Sequence, residues 1–321
     1  MDVTYIAPRQ AKKAAARAAK AAEKAAQAAA VKAADLAALE YLNLRAYHYI
    51  LLNTSAGKDS LAMIHHIYQL AVAQGVTDRL VAVHCDLGRV EWAGTRELAE
   101  KQCALYGIQL HVVSRPQGDL LDHVAQKGLW PGPATRYCTS QHKRGQVEVL
   151  MTALVDAFIA ENFSAVPARH REQVRILNCQ GLRAAESAKR AARPALELNQ
   201  RATNGKRLVT DCLPIKWWSD DEVWATIRNH NLPYHFAYDL GMPRLSCVFC
   251  FYAPEKALLL AGYHNRALLA EYVRVEQATG HAFKFDSDTQ QPQPLIQIQA
   301  KLEAGYVPTG RIDTAEWSQC A

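Results

Sequence analysis

The chain has no apolar run of 18 residues, so no segment reads as a membrane-spanning helix. Its N-terminus is polar and rich in Ala and Lys, without the apolar centre of a secretory signal. The eight cysteines, at 85, 103, 138, 179, 212, 247, 250 and 320, are scattered through 321 residues, a chain too large to need disulfide staples. These absences give the expectation of a cytoplasmic protein with reduced thiols, some of them free to hold metal. Neither common phosphate signature is present: there is no Gly-x-x-x-x-Gly-Lys-Ser/Thr, and no Gly-x-Gly-x-x-Gly behind a strand. Acidic residues are nearly missing from residues 9–32, which hold Arg9, Lys12, Lys13, Arg17, Lys20, Lys24 and Lys32 against Glu23 alone. The net charge of that segment accounts for the whole chain's +6, so the remainder balances to about zero.

Residues 9–42 are Ala with interspersed Lys, Arg, Glu and Gln, all strong helix formers, and predict one long helix. Leu36, Leu39 and Leu42 place larger apolar groups only at its C-terminal end, which is where it should dock. The rest has little to bury. It reads as a solvated helix, as a basic arm for nucleic acid, or, through its Ala spacing, as the packing face of a homodimer.

From residue 48 the pattern alternates. Apolar runs at 49–53, Leu80–Cys85, Gln109–Val113 and Val174–Cys179, with a weaker one at Leu208–Leu213, predict strands. Helical spacing falls near 58–74, 91–106, 118–127, 141–161, 184–199 and 219–229. This alternation predicts an α/β fold: a doubly wound, mainly parallel sheet with helices on both faces. Residues 255–279 read as helix, and the polar stretch 281–298, with Asp286-Ser287-Asp288 and Gln290-Gln291-Pro292-Gln293-Pro294, as an irregular loop. Three parts follow: a basic helix at 1–45, a catalytic body at 46–253, and a helical extension with a polar tail at 254–321.

Ligands of such sheets bind at the carboxyl ends of the strands. Three small-residue turns fall there. After the first strand comes Ser55-Ala56-Gly57-Lys58-Asp59-Ser60, opening a helix. Unpaired N–H groups and the positive end of the helix dipole favour an anion in such a turn, with charge from Lys58 and hydroxyls from Ser55 and Ser60. After the second strand, Asp86-Leu87-Gly88 offers a carboxylate for a ribose or a metal, or forms a plain turn. After the fourth, Gly181-Leu182-Arg183-Ala184-Ala185-Glu186-Ser187 offers Arg183 for a phosphate and Glu186 to orient it, or an ordinary surface ion pair.

Arg136-Tyr137-Cys138-Thr139-Ser140-Gln141-His142-Lys143-Arg144 is dense in donors, and its cations favour the thiolate of Cys138. In Pro214-Ile215-Lys216-Trp217-Trp218-Ser219-Asp220-Asp221-Glu222-Val223-Trp224, Ser219 and Glu222 form a capping box and Trp224 should pack inward. Cys247-Val248-Phe249-Cys250 is a metal or redox pair, with Cys138 the best third ligand; an iron–sulfur cluster, zinc, a redox disulfide and incidental buried thiols all remain open.

Taken in order, these motifs resemble the PAPS-reductase-like branch of the ATP pyrophosphatases (adenine nucleotide alpha hydrolases), over residues 48–253. The resemblance implies a HUP-like sheet, with ATP bound by Ser55, Ala56, Gly57, Lys58, Asp59, Ser60, Asp86, Gly181 and Arg183. It implies catalytic roles for Asp59, Lys143, Arg183 and Glu186, Mg²⁺ as companion of ATP, and a cluster on Cys138, Cys247 and Cys250. Two departures stand out: Ala56 replaces the first Gly of the family's Ser-Gly-Gly-x-Asp-Ser loop, and Leu87 replaces Thr of its Asp-Thr-Gly. The Glu-Cys-Gly-Leu-His setting of the reductases' C-terminal catalytic Cys is also absent, since Cys320 stands in Trp317-Ser318-Gln319-Cys320-Ala321.

The chain is most similar to the DndC/SspD-like proteins of DNA phosphorothioation. That implies an enzyme that adenylates an oxygen of a nucleic acid for replacement by sulfur, DNA being favoured over tRNA. A cysteine desulfurase or another sulfur donor is then an expected partner. tRNA base thiolation, PAPS or APS reduction, and a non-catalytic nucleotide-binding subunit are the alternatives.

Overall fold

The computed structural model describes residues 7–167, 170–286 and 289–312, with side chains from Lys12 onward. Cys320 and its neighbours, and Ser287 and Asp288, lie outside the described residues. No helix among the described residues is long and apolar enough to cross a membrane.

The long helix α1 spans Ala7–Glu40. Then β1 (Tyr49–Thr54), α2 (Lys58–Gln74), β2 (Leu80–Cys85), α3 (Thr95–Ala104) and β3 (Gln109–Val113) follow in alternation. Next come α4 (Leu120–Lys127), the one-turn α5 (Tyr137–Thr139), a π-helical turn at Ser140–Arg144, and α6 (Gly145–Asn162). The sheet resumes with β4 (Val174–Gln180), interrupted by α7 (Ala188–Ala192) and completed by β5 (Leu196–Leu198) and β6 (Arg207–Cys212). Helix α8 (Asp220–Asn229) precedes α9 (Glu255–His264), α10 (Arg266–Thr279), the two-residue strands β7 (Lys284–Phe285) and β8 (Pro292–Gln293), and α11 (Leu295–Glu303).

Six strands form one sheet in the order β3-β2-β1-β4-β6-β5. All pairs are parallel except β5 with β6. The reversal of strand order at β1 and β4 makes the switch point at which open parallel sheets bind ligands. β1 is central, and Ile50, Leu51 and Leu52 are fully buried because both faces are covered. One face packs Leu61, Met63, Ile64 and Ile67 of α2 with Val223 and Ile227 of α8; the other packs Val147, Leu150, Met151 and Val155 of α6. A third core joins α9, α10 and α11 to Leu120, Leu121 and Val124 of α4, so the helical extension shares apolar packing with the body.

Two expectations are corrected here. The helix expected at 184–199 stops at Ala192, because Arg193 precedes Pro194 and takes an extended conformation; Leu196–Leu198 then pairs with β6 as an antiparallel edge strand. The irregular stretch at 281–298 contains β7, β8 and the start of α11. Helix α11 begins after Pro294 with no local side-chain cap. Its cap is distant: the buried Glu276 accepts from the Leu295 N–H at 2.8 Å and from the Phe283 N–H at 2.6 Å.

Helix α1 docks at its C-terminal end, as expected: Leu42, just past the helix, is buried in the α2 core and Leu39 packs against it, while Leu36 is exposed and Asp35 enters the body. Its carboxylate accepts from Lys216 Nζ at 2.5 Å, from Trp217 Nε1 at 3.0 Å and from the Ala195 N–H at 2.7 Å. Lys216 is itself fully buried.

Candidate functional site

At the carboxyl end of β1 the chain turns through Ser55, Ala56 and Gly57 into α2. Ala56 has φ 57°, a left-handed conformation that L side chains seldom adopt, and its methyl is fully buried. That explains the residue the family loop prefers here: glycine takes this conformation without strain. Two hydrogen bonds hold Ala56 in place. Its N–H donates to Thr54 Oγ1 at 3.1 Å, and its carbonyl accepts from Gln102 Nε2 at 3.2 Å.

Gly57 is the N-cap of α2 and supplies no side-chain cap, so the helix start keeps donors for a ligand. Ser55 is exposed at the rim, whereas Ser60 turns inward and donates to the Gly57 carbonyl at 2.9 Å. The buried Tyr238 hydroxyl accepts from the Lys58 N–H at 2.9 Å and from the Leu245 N–H at 3.3 Å. A Cβ on Gly57 would lie 3.3 Å from that hydroxyl. Tyr238 thus fastens the loop to the segment that leads to Cys247.

Behind the loop lies a closed group of charges. Lys58 Nζ is 3.1 Å from Asp59 and 2.6 Å from Asp220. Arg183 Nε donates to Asp59 at 2.6 Å and its Nη2 to Asp220 at 2.8 Å. Lys58 and Arg183 are both almost completely buried. Burial works against the Arg183 charge, but Asp59 and Asp220 outweigh it and raise its pKa. Burial likewise acts to raise Asp220, yet Lys58 and Arg183 hold it below the usual carboxylate range. Two cations facing two carboxylates neutralise one another. Lys58, Asp59 and Arg183, expected at the nucleotide, are brought together beside the loop, with their charges paired to one another and to Asp220.

Gly181 is where the β4 loop meets that support. A Cβ there would lie 2.8 Å from the Asp59 backbone carbon and oxygen, a contact only glycine avoids. Glu186 accepts from the Arg183 N–H at 2.9 Å, pairs with Arg190, and lies 3.4 Å from Arg244. Burial would raise its pKa, but Arg190 and Arg244 outweigh this and lower it.

At the end of β2, Asp86 accepts from the Gly88 N–H at 2.8 Å and so forms the turn itself, half-exposed at the sheet edge. The neighbouring His84 is buried, with Nδ1 3.2 Å from the Thr54 carbonyl. Its Nε2 lies 3.3 Å from Glu91, close enough for charge but off the line of a hydrogen bond. Burial pushes His84 down, while Glu91 and the Thr54 carbonyl outweigh it and raise its pKa.

Cys138, Cys247 and Cys250 line one apolar cavity of about 40 Å³, together with Leu121, Trp130 and Tyr272. They are not assembled as ligands: among the described residues no three His, Cys, Asp or Glu side chains are placed to hold a common ion. The cavity has room for little more than water. Burial raises the pKa of Cys247 and Cys250. The three expected cluster ligands thus share one cavity without being assembled around a common ion.

Lys143 is exposed as a side chain, yet its amine is crowded by thiols and Glu91. That amine is set among Cys247, Glu91, Cys85 and Cys138. Arg136 lies over the Tyr252 ring at 5.2 Å.

A family model described as the phosphoadenosine phosphosulfate reductase domain matches residues 49–253, well over half the chain. The chain belongs to the PAPS reductase domain family. Its match to the adenosine 5'-phosphosulfate reductase of Allochromatium vinosum is 41% identical over 70 residues, 22% of this chain and 25% of the relative. An uncharacterised 37.8 kDa protein of Escherichia phage 186 is 29% identical over 149 residues, 46% of this chain and 39% of the relative. The matched stretches thus span well under two thirds of either relative. The PAPS reductase of Candida auris, solved as a phosphate complex, superposes with a TM-score of 0.44 at 18% identity, covering 65% of this chain and 86% of that one.

Within this family domain the three expected turns do meet at one sheet edge. Sequence reading missed four residues that build the site: Tyr238, Asp220, Gln102 and Glu91. Asp220 carried a signal, since it follows the Ser219 cap whose capping box with Glu222 is present. Tyr238 lay in the aromatic run Tyr234-His235-Phe236-Ala237-Tyr238, which also half-buries Trp224 against Tyr234 and Tyr238. Gln102 and Glu91 carried none.

Proposed function

We propose that this PAPS reductase family member is an ATP pyrophosphatase that adenylates an oxygen of a nucleic acid, most readily DNA, for replacement by sulfur. The observation that carries the reading is the Ser55–Gly57 turn. It starts a helix at the switch point of the sheet and is fastened through Tyr238 to Leu245, two residues before Cys247. In the proposed step the acceptor oxygen attacks the α-phosphorus of ATP, the bond to pyrophosphate breaks, and pyrophosphate leaves. The persulfide of a partner such as a cysteine desulfurase then attacks the activated centre, AMP leaves, and a thiol reductant cleaves the S–S bond, leaving the sulfur on the acceptor and a disulfide on the thiols.

The α2 N–H groups and Ser55 suit the pyrophosphate, whose negative charge grows as it leaves. Asp86 suits the nucleoside side, and the Lys143 ammonium, among three cysteines, suits an anionic sulfur donor. Asp59, Arg183 and Glu186 act one step back, by fixing the loop and the Gly181 turn. Incubating the protein with ATP, Mg²⁺ and duplex DNA and measuring pyrophosphate tests the reading. Release that is lost in Lys143→Ala and accompanied by phosphorothioate dinucleotides in digested DNA from cells carrying the gene supports it; no pyrophosphate with any nucleic acid removes it.

The local 41% identity to an adenosine 5'-phosphosulfate reductase favours a second reading, reduction of an adenylyl sulfate. Thioredoxin-dependent sulfite release from APS or PAPS, without pyrophosphate release from ATP, would select it.

A further inference from the structure

Helix α1 leaves the body past Lys32, whose ammonium lies over the Trp217 ring at 5.5 Å, and every residue from Lys12 to Ala30 is exposed. Successive helical positions advance by about 100°, so Lys13, Arg17, Lys20 and Lys24 share an arc of about 60°. Asp35, eleven positions after Lys24, falls on the same arc to within about 20°. The four cations therefore form one stripe, about 17 Å from end to end, in line with the face that docks on Lys216 and Trp217. Glu23 is the single acidic residue between Lys12 and Ala34.

We infer that this stripe grips the phosphate backbone of duplex DNA. The chemistry of the helix argues for that occupant. An amphipathic membrane anchor needs Leu, Phe or Trp opposite its cations, and α1 has only Ala there. A coiled coil needs large apolar residues at heptad spacing, and Val31 is the only one between Lys12 and Leu36. What remains is a smooth, thin, cationic rod. Ala faces let an α-helix enter the major groove of B-form DNA, about 12 Å wide, whereas the deep and narrow major groove of A-form RNA excludes it. Gln27 is the only amide side chain between Lys12 and Ala34, so the grip carries little base reading. Because the stripe lies on the docking side, DNA held there runs toward the body rather than away from it. The inference deepens the proposed function by naming the form of its acceptor, and rests on that reading only for the sulfur chemistry.

The test is fluorescence anisotropy of a labelled duplex of unrelated sequence with the full chain, across a salt series, comparing the wild type with K13A/R17A/K20A/K24A. Alanine keeps the helix, which circular dichroism verifies. Each neutralised phosphate contributes about 0.9 to the slope of log affinity against log salt, so the four cations contribute about 3.6. Between about 50 and 200 mM salt that is roughly a 150-fold loss of affinity, expected in the wild type and largely absent from the variant. Equal slopes in the two proteins would overturn the inference. So would tighter binding of a tRNA than of the duplex, or binding to anionic phosphatidylglycerol vesicles without binding to DNA. Absence of DNA-dependent pyrophosphate release from the wild type beside intact DNA binding would sink the adenylation reading and leave this one standing.

Discussion

Replacing Asp35 with Ala tests the joint that fixes the long helix to the body. In the folded protein the Asp35 carboxylate meets the Lys216 ammonium at 2.5 Å, the Trp217 indole N–H at 3.0 Å and the Ala195 N–H at 2.7 Å. Lys216 is completely buried, and its other partner is the Arg193 carbonyl. Removing one member of a buried pair leaves the other uncompensated, at a cost of about 3–5 kcal/mol. That is an upper bound here, since the helix end can lift and admit water to Lys216. Urea denaturation of the full chain measures the loss, and trypsin cleavage after Lys32 reports release of the helix. Asp35→Asn keeps an acceptor for Ala195 but no charge for Lys216, and should fall between wild type and Ala. The double change Asp35→Leu with Lys216→Met removes both charges and should recover most of the stability. A loss below about 1 kcal/mol with unchanged proteolysis would refute the reasoning, because no buried unpaired ammonium can cost so little.

Gly181→Ala puts a methyl against the Asp59 backbone, which cannot swing aside as a side chain can. It should cost about 1–3 kcal/mol in thermal unfolding and weaken nucleotide binding in calorimetry, whereas Gly205→Ala, with open space around it, should do neither. Glu276→Ala orphans the buried N–H groups of Phe283 and Leu295. It should destabilise by about 2–4 kcal/mol, with hydrogen exchange rising first in α11. Acid should weaken the protein through His142. Burial and the neighbouring His123 lower its pKa to about 4. The unfolded chain takes up that proton from about pH 6.5 downward while the folded chain does not, so this contribution is intact above about pH 7 and is lost between about 6.5 and 4. His142→Gln should flatten that part of the pH–stability curve; an unchanged curve would mean that other groups titrate.

Periodicity in the sequence was enough for the sheet because its central strands are buried on both faces and show it as unbroken apolar runs, Tyr49–Leu52 and Leu80–Val83 among them. What stayed hidden was decided by contacts distant in sequence. Helix α11 has its cap nineteen residues earlier, on Glu276, so its start looked irregular. Strand β5 is three residues long, and its Leu-Glu-Leu pattern was absorbed into a helical reading that Pro194 forbids. The site was legible as three turns at one edge, but not as to which charges face a ligand. Lys58 and Arg183 look available in a linear motif and are consumed in space by Asp59 and Asp220.

That consumption bears on how the loop works. Ala56 holds a left-handed backbone at a cost of about 1–2 kcal/mol relative to an ordinary conformation. Such strain persists where the surroundings over-determine it. Here they do: Gln102 and Thr54 hold Ala56, Tyr238 holds the Lys58 N–H, Gly181 presses on Asp59, and the four-charge group locks the first turn of α2. A loop fixed in this way presents its donors before any anion arrives, so little ordering entropy is lost on binding. The same rigidity ties the loop to α1. The Trp218 carbonyl accepts from Arg183, and the residues just before it, Lys216 and Trp217, hold Asp35. The helix that carries the basic stripe is thus anchored within a few residues of the charges paired behind the Ser55–Gly57 turn, so the DNA grip and the nucleotide site proposed above would share one continuous stretch of packed backbone.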